Sequence, residues 1–359
     1  MKIIQVIPMF GLAGAETMCE NLTLALINQG HDVKVVSLYD YHSAITDRLE
    51  KNNVSVSYLG KKKGWDNTII PKLIRLFRNE KPDIVHSHLY AIKYAMVAAI
   101  AAGVKGRIHT IHNIANKETT KLGQHLNYIF FNYANVIPVS LSAEIQRTVA
   151  ECYKLAKGQT PIVYNGIDLN KCQQKKNYEK TGNLKFIHVG RFSVQKNHEL
   201  LIRAFYRAHI QNKATELILI GAGELQEEVK KLIEDLGLEQ VVHCIGLTAD
   251  IYSWLNRADV LVMSSRYEGM PMTIIEAMGT GLPIISTNVG GIASMVENGK
   301  EGILTGVDED QLSGAMIKMQ DKRYREYLGK NARVKAENVF SSATMAQKYL
   351  DIYRKGIAK

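Results

Sequence analysis

In the stretch Arg266-Tyr267-Glu268-Gly269-Met270-Pro271-Met272-Thr273-Ile274-Ile275-Glu276-Ala277, two carboxylates flank the start of an expected helix. Pro271 suits a first turn, where its missing N–H costs little. The amides of Met272 and Thr273 then point out of the helix amino end, a ready phosphate site. Carboxylates do not bind phosphate, but they accept hydrogen bonds from vicinal sugar hydroxyls, so Glu276 and Glu268 suit sugars on either side of it. The plainer reading of either Glu is stabilisation of the helix dipole. A second stretch, Gly190-Arg191-Phe192-Ser193-Val194-Gln195-Lys196-Asn197, supplies cations. Arg191 can grip a phosphate with two parallel bonds and Lys196 adds a point charge; solvated surface cations are the alternative. Of 11 histidines, His86, His88, His109 and His112 fall near expected strand ends. A strand-end histidine commonly packs or hydrogen-bonds, and His109 would face the other side of its strand.

These residues need a scaffold, and the hydrophobic pattern provides one. Lys2 to Pro8 is a short apolar run, followed by the turn Gly11-Leu12-Ala13-Gly14-Ala15 and a helical pattern from Glu16 to Gly30. Strands are expected at His31–Leu38, Val54–Leu59, Ile84–His86, Arg107–Ile111, Val136–Val139 and Ile162–Tyr164, with helices such as Ile69–Asn79 between. A polar, Lys-rich stretch, Lys171 to Asn183, reads as a linker or exposed loop. The alternation restarts with strands at Leu184–Val189, Glu216–Ile220, Val241–Ile245, Val260–Met263 and Pro283–Thr287. Repeated strand–helix units mean parallel sheets with helices on both faces. The expected architecture is α/β, two Rossmann-like domains facing across a cleft: 1–165, and 166–341 as the donor-binding half, with a final helix in 342–359 able to pack back on the first. Ligands of such sheets bind beyond the strand carboxyl ends, where the residues named above fall.

Composition narrows the class. The chain has 359 residues, 46% hydrophobic and 22% charged, an ordinary globular balance with material for two cores. The longest apolar run, Tyr94 to Val104, is too short to cross a bilayer, and Met1-Lys2 with an early Pro8 does not read as a signal peptide. Four scattered cysteines form no C-x-x-C pair, which argues against a disulfide framework and for a reducing cytoplasm. Net charge is +10, and residues 1–165 carry 19 Lys+Arg against 12 Asp+Glu, a bias toward anionic partners. The Gly11–Ala15 turn lacks the G-x-G-x-x-G spacing of a dinucleotide site.

Gly-Arg-Phe-Ser-x-x-Lys-Asn followed by Glu-x7-Glu resembles the retaining nucleotide-sugar glycosyltransferases of family 4, with the GT-B fold. The likeness spans nearly the whole chain. Gly14-Ala15-Glu16, Val85-His86-Ser87-His88, Thr110-Ile111-His112-Asn113, Asn165-Gly166-Ile167-Asp168 and Gly221-Ala222-Gly223-Glu224 are similar to the family's motifs in order. The resemblance implies that Arg191 and Lys196 neutralise the donor diphosphate, helped by Gly14, Met272 and Thr273. It implies that Glu276 holds the ribose, that Glu268 binds the transferred sugar, and that His112 sits near the reacting carbon. Gly221, Gly223, Ile245 and Gly246 would flank the base. One departure is Gly290-Gly291-Ile292-Ala293-Ser294, where relatives commonly carry an acidic residue at the position of Ser294.

By this resemblance the activity is retaining transfer from a nucleoside-diphosphate donor, UDP by family frequency, to a saccharide or lipid-linked hydroxyl acceptor in cell-surface polysaccharide synthesis. It implies no metal and no other cofactor: the only Asp-x-Asp, Asp308-Glu309-Asp310, reads as a helix start. No role for nucleic acid follows. Seven cations in 61–81 (Lys61, Lys62, Lys63, Lys72, Arg75, Arg78, Lys81) make either a solvated face or a surface for anionic lipid, placing the protein in the cytoplasm or peripherally on the inner membrane face. Two rival readings are a GT-B sugar-nucleotide epimerase and a non-catalytic partner of an active transferase.

Overall fold

The computed structural model describes residues 1–11, 13–156, 158–179, 182–248 and 250–358. Leu12 of the first turn, Lys180 and Thr181 of the Lys-rich stretch, and Lys359 lie outside the described residues. Two compact units emerge: Met1–Ile167 with Ser341–Lys359, and Asp168–Phe340.

The first unit is a six-stranded parallel sheet in the order β3-β2-β1-β4-β5-β6. Its strands are β1 (Lys2–Ile7), β2 (Asp32–Ser37), β3 (Val56–Tyr58), β4 (Ile84–His88), β5 (Gly106–Ile111) and β6 (Val136–Ser140). Apart from Lys2, all of β1 is buried, the continuous run expected of a parallel strand covered on both faces. The helix Ser342–Ala358 belongs to this unit and buries Tyr349 and Tyr353 completely. Tyr349 Oη lies 2.7 Å from Thr110 Oγ1 on β5, and Tyr353 Oη lies 2.8 Å from His86 Nδ1 on β4. Residues Ile162–Tyr164 form no strand: Ile162 makes one isolated bridge to Ser140, because Pro161 before it has no amide hydrogen to extend a ladder.

The second unit repeats the plan in the order β12-β11-β10-β7-β8-β9. Its strands are β7 (Leu184–Val189), β8 (Thr215–Ile220), β9 (Val242–Gly246), β10 (Val260–Met263), β11 (Ile284–Thr287) and β12 (Gly302–Thr305). The short β12 has no counterpart in the sequence reading. Its Gly302 fits because a Cβ there would stand 2.2 Å from the Ile284 carbonyl oxygen, so backbone meets backbone at that edge. Residues 172–179 of the Lys-rich stretch form an irregular, largely exposed loop, the second of the two expectations, and it is anchored at two points. Lys175 Nζ bonds the Ala258 carbonyl (2.6 Å) and Asp259 (3.0 Å), and Tyr178 Oη donates to the Gly281 carbonyl (2.7 Å).

In each sheet the strand order reverses direction once, between β1 and β4 and between β7 and β10. At such switch points the loops leaving neighbouring strands diverge and open a crevice at the carboxyl edge.

Candidate functional site

The second unit's crevice lies between the loop after β7, residues 190–197, and the loop after β10, residues 264–271. Backbone and side chains lace the two together. Arg266 N–H donates to the Gln195 carbonyl (2.8 Å), Gln195 Nε2 to the Tyr267 carbonyl (3.0 Å), and Ser264 Oγ to the Lys196 carbonyl (2.9 Å). Across this seam Lys196 Nζ binds Glu268 Oε1 at 2.7 Å, with only 15% and 6% of the two side chains exposed. Ser265 Oγ donates to the same carboxylate oxygen at 2.6 Å. Breaking one member of a buried pair strands a charge away from water, so Lys196 and Glu268 hold each other in register. An ammonium has three protons, and two remain for a phosphate.

Glycines set the backbone around this pair. Gly290 has φ +59°, and a Cβ on it would stand 1.8 Å from the Glu268 carbonyl oxygen. Gly291 N–H donates to that same oxygen at 3.2 Å. Gly221, at φ +141°, leaves its would-be Cβ 2.0 Å from the Gly190 carbonyl oxygen, so the loops after β7 and β8 touch through backbone alone. Gly221 N–H donates to the Gly246 carbonyl at 2.9 Å, and Gly223 presses on the Phe192 backbone. Gly221, Gly223, Ile245 and Gly246 thus share one edge with the Arg191 loop. Arg191 itself is exposed and paired with Glu224 at 3.1 Å; exposed pairs of this kind contribute under about 1 kcal/mol and exchange readily.

The helix Met272–Thr280 begins one residue later than expected, with Pro271 as its N-cap. Met272 and Thr273 still open it, and their amides have no carbonyl four residues back. Glu276 lies one turn inside and is 7% exposed. Burial pushes its carboxyl up to about 7, opposed by the nearby Lys171 ammonium. Ser294 turns back on its own loop, its Oγ donating to the Gly291 carbonyl at 2.6 Å. Asp308 caps the helix Glu309–Lys318 by accepting from Gln311 N–H at 2.9 Å. Among the described residues no three of His, Cys, Asp and Glu are grouped as metal ligands.

In the first unit, Gly14 opens the helix Gly14–Asn28 beside the β1–β4 switch point. Register pairs Gln5 of β1 with His86 of β4, and His88 with Thr110 of β5. Those side chains share a face, while Ser87 and His109 share the other, where His109 Nδ1 lies 2.9 Å from Ser87 Oγ. His88 Nδ1 stands 3.2 Å from His112 Nε2, and His88 Nε2 stands 2.9 Å from Gln5 Oε1. Burial holds His88 well below the usual imidazole range and His112 down to about 3, so both are neutral at physiological pH. His112 N–H donates to Glu118 Oε1, whose carboxyl burial raises to about 7.

The basic stretch is not one face. Lys61 is buried, with its ammonium 3.2 Å from Tyr39 Oη and donating to the Lys62 carbonyl. Lys62, Lys63, Lys72, Arg75, Arg78 and Lys81 are exposed, and Leu73 and Phe77 of the helix Ile69–Glu80 are buried. Ser265 and Gln5 were not singled out by sequence, and Glu224 and Gly290 stood there only as members of longer motifs. Ser265 had a signal, two residues past β10 at the switch point; the Gln5 contacts depend on strand register and had none. A cavity of about 680 Å³ lies at the opposite, amino end of β7 and β10, among Lys175, Lys185, Asn256 and Asp259, and holds none of the candidate residues.

Residues 12–171 match Glycosyltransferase Family 4, and residues 170–335 match Glycosyl transferases group 1. An Escherichia coli UDP-Gal:alpha-D-GlcNAc-diphosphoundecaprenol alpha-1,3-galactosyltransferase is 30% identical over 300 residues, 78% of this chain and 77% of that protein. A Campylobacter jejuni diphospho-undecaprenol 4-alpha-N-acetylgalactosaminyltransferase is 25% identical, covering 95% of this chain and 96% of its own. The Anabaena HepE structure with UDP and glucose superposes with a TM-score of 0.86 at 20% identity, over 99% of this chain and all of that one. The chain belongs to glycosyltransferase family 4 and has the two-domain α/β GT-B fold. Among the described residues no helix is long and apolar enough to cross a membrane.

Proposed function

We propose that this glycosyltransferase moves a sugar from a UDP-sugar to a hydroxyl of a lipid-linked saccharide, with retention at the anomeric carbon and without a metal. The observation that carries the donor side is the Lys196–Glu268 pair at 2.7 Å across the β7–β10 switch point. It sets a cation with spare protons and a buried carboxylate on adjoining loops, next to the helix start where the Met272 and Thr273 amides have no carbonyl four residues back, which supports a diphosphate and a sugar there. Arg191, released from Glu224, completes the diphosphate's charge compensation. Glu276 accepts from the ribose hydroxyls, and Gly221, Gly223, Ile245 and Gly246 flank the base.

In the reaction the bond between the anomeric carbon and the diphosphate oxygen breaks, and its electron pair leaves with UDP. The acceptor oxygen bonds to the same face of that carbon, and its proton passes to the departing diphosphate. Positioning and charge stabilisation supply the rate. His112, neutral, binds a hydroxyl of the transferred sugar and faces the developing positive charge. The lipid-linked acceptor is supported by the names of the Escherichia coli and Campylobacter relatives, UDP by the first of these and by HepE. The exposed cations Lys62, Lys63, Lys72, Arg75, Arg78 and Lys81 would meet anionic lipid on the inner face of a membrane.

The test is incubation of the purified enzyme with UDP-galactose, UDP-glucose and UDP-N-acetylhexosamines, with and without an undecaprenyl-diphosphate-linked N-acetylhexosamine. Acceptor-dependent UDP release, an α-linked product and a rate unchanged by EDTA are expected. An epimerised donor formed without acceptor overturns the reading in favour of an epimerase. Sedimentation with anionic vesicles at low salt, weakened when Lys62, Lys63 and Lys72 are changed to Ser, tests the membrane contact.

A further inference from the structure

We infer that Gln5, acting through His88, fixes His112 as a hydrogen-bond acceptor toward the transferred sugar. The inference rests on the role proposed above for His112. Gln5 is an anomaly in its own strand: a fully buried amide in a run of Ile and Val. Both ends of it are engaged. Nε2 lies 2.6 Å from Thr23 Oγ1, and Oε1 lies 2.9 Å from His88 Nε2 and 3.5 Å from Cys19 Sγ.

Counting protons orients the whole chain. Thr23 has one hydroxyl proton, and its Oγ1 stands 2.8 Å from the Cys19 carbonyl, which can only accept. Thr23 Oγ1 must therefore accept from Gln5, which turns the amide nitrogen toward Thr23 and the amide oxygen toward His88. The reversed amide would put Thr23 Oγ1 against two acceptor oxygens, at 2.6 and 2.8 Å, with one proton to share. Cys19 Sγ agrees with the first orientation, since its S–H donates to Gln5 Oε1.

His88 must then donate from Nε2. A neutral imidazole carries a single N–H, so His88 Nδ1 is an acceptor. His112 Nε2, 3.2 Å away, must donate to it. The remaining nitrogen, His112 Nδ1, presents a lone pair and has no hydrogen-bond partner among the described residues. It accepts from a sugar hydroxyl and cannot donate to one. Replacing that hydroxyl by fluorine removes the proton His112 needs. Gln5 and His88 are positioning residues, since neither is assigned a contact with substrate.

The experiment is a long-range ¹H–¹⁵N spectrum of the full chain labelled at histidine, at pH 8, with His112 assigned by its loss in His112→Phe. The expected result is a pyridine-type Nδ1 and a pyrrole-type Nε2. Gln5→Met should mix the two tautomers and lower kcat about ten- to a hundredfold, the usual effect of removing a group that orients a histidine, with the donor KM nearly unchanged. Gln5→Glu, held neutral by burial, keeps a carbonyl oxygen opposite His88 Nε2 and turns its O–H toward Thr23 Oγ1, and should restore the tautomer and most of kcat. A His112 proton on Nδ1 in the native protein overturns the inference, and so does a Gln5→Met enzyme with native tautomer and kcat. Should Gln5→Met fail to fold, the native spectrum decides alone. Full transfer by His112→Ala, with the stated tautomer intact in the native protein, would refute the role given to His112 and leave the relay standing.

Discussion

Replacing Glu276 by glutamine should strengthen the fold and weaken donor binding, by amounts that can be worked out. The buried carboxyl titrates near 7 against an ordinary value of 4.5. The folded chain therefore holds that proton more tightly than the unfolded chain does. The destabilisation is absent below about pH 4.5, grows between the two values and is complete above about 7. At 1.36 kcal/mol per unit, a gap of about 2.5 units corresponds to about 3 kcal/mol at pH 8 and under about 1 kcal/mol at pH 5. Glutamine has the same shape and no charge, so Glu276→Gln should raise the stability of the second unit by about that difference. Trp254 lies in this unit and Trp65 in the other, so urea titrations in a Trp65→Phe background report the relevant transition. UDP affinity should fall at least about tenfold, as expected when a charged acceptor of hydroxyl bonds is neutralised. A stability gain equal at pH 5 and pH 8 would refute the electrostatic reasoning. Unchanged UDP affinity would refute the ribose assignment.

If ribose hydroxyls favour the ionised carboxylate, UDP binding near pH 7 should release up to about half a proton; calorimetry in buffers of different ionisation enthalpy measures it, and Glu276→Gln should abolish it. Lys196→Met leaves Glu268 charged and buried, and should destabilise the second unit by about 3 kcal/mol in urea titrations, whereas Lys196→Met with Glu268→Leu should recover most of that loss. Gly290→Ala places a methyl group on the Glu268 carbonyl at a positive φ; a loss of about 2 kcal/mol or more is expected, with kcat falling alongside as Glu268 is displaced. His112 titrates near 3, so kcat between pH 5 and 8 should show no step that His112→Asn removes.

Motif spacing made the placement of the candidate residues legible because strand, loop and helix start are local features. Arg191, Lys196, Glu268 and Glu276 each sit just beyond a strand or in the helix that follows, and their neighbours in sequence set their place. Lys196 on Glu268 was not legible, nor was Gly290 under the Glu268 carbonyl. Both contacts join segments some twenty to seventy residues apart, and strand order across the sheet brings them together. Composition also misled at Lys61, where a lysine counted as surface charge is buried with its ammonium bonded to oxygens. Register hid Gln5 in the same way: an amide among Ile and Val looks like an edge position until the partner strands are known.

The helix Ser342–Ala358 has a consequence for biosynthesis. Tyr349 and Tyr353 complete the core of a unit whose other residues end at Ile167, so that unit stays unfinished while the ribosome makes the next 173 residues. Residues 168–340 are contiguous and can fold as soon as they emerge. The first unit can thus close only after Ser342–Ala358 has emerged, and its β4 and β5 face stays uncovered until then.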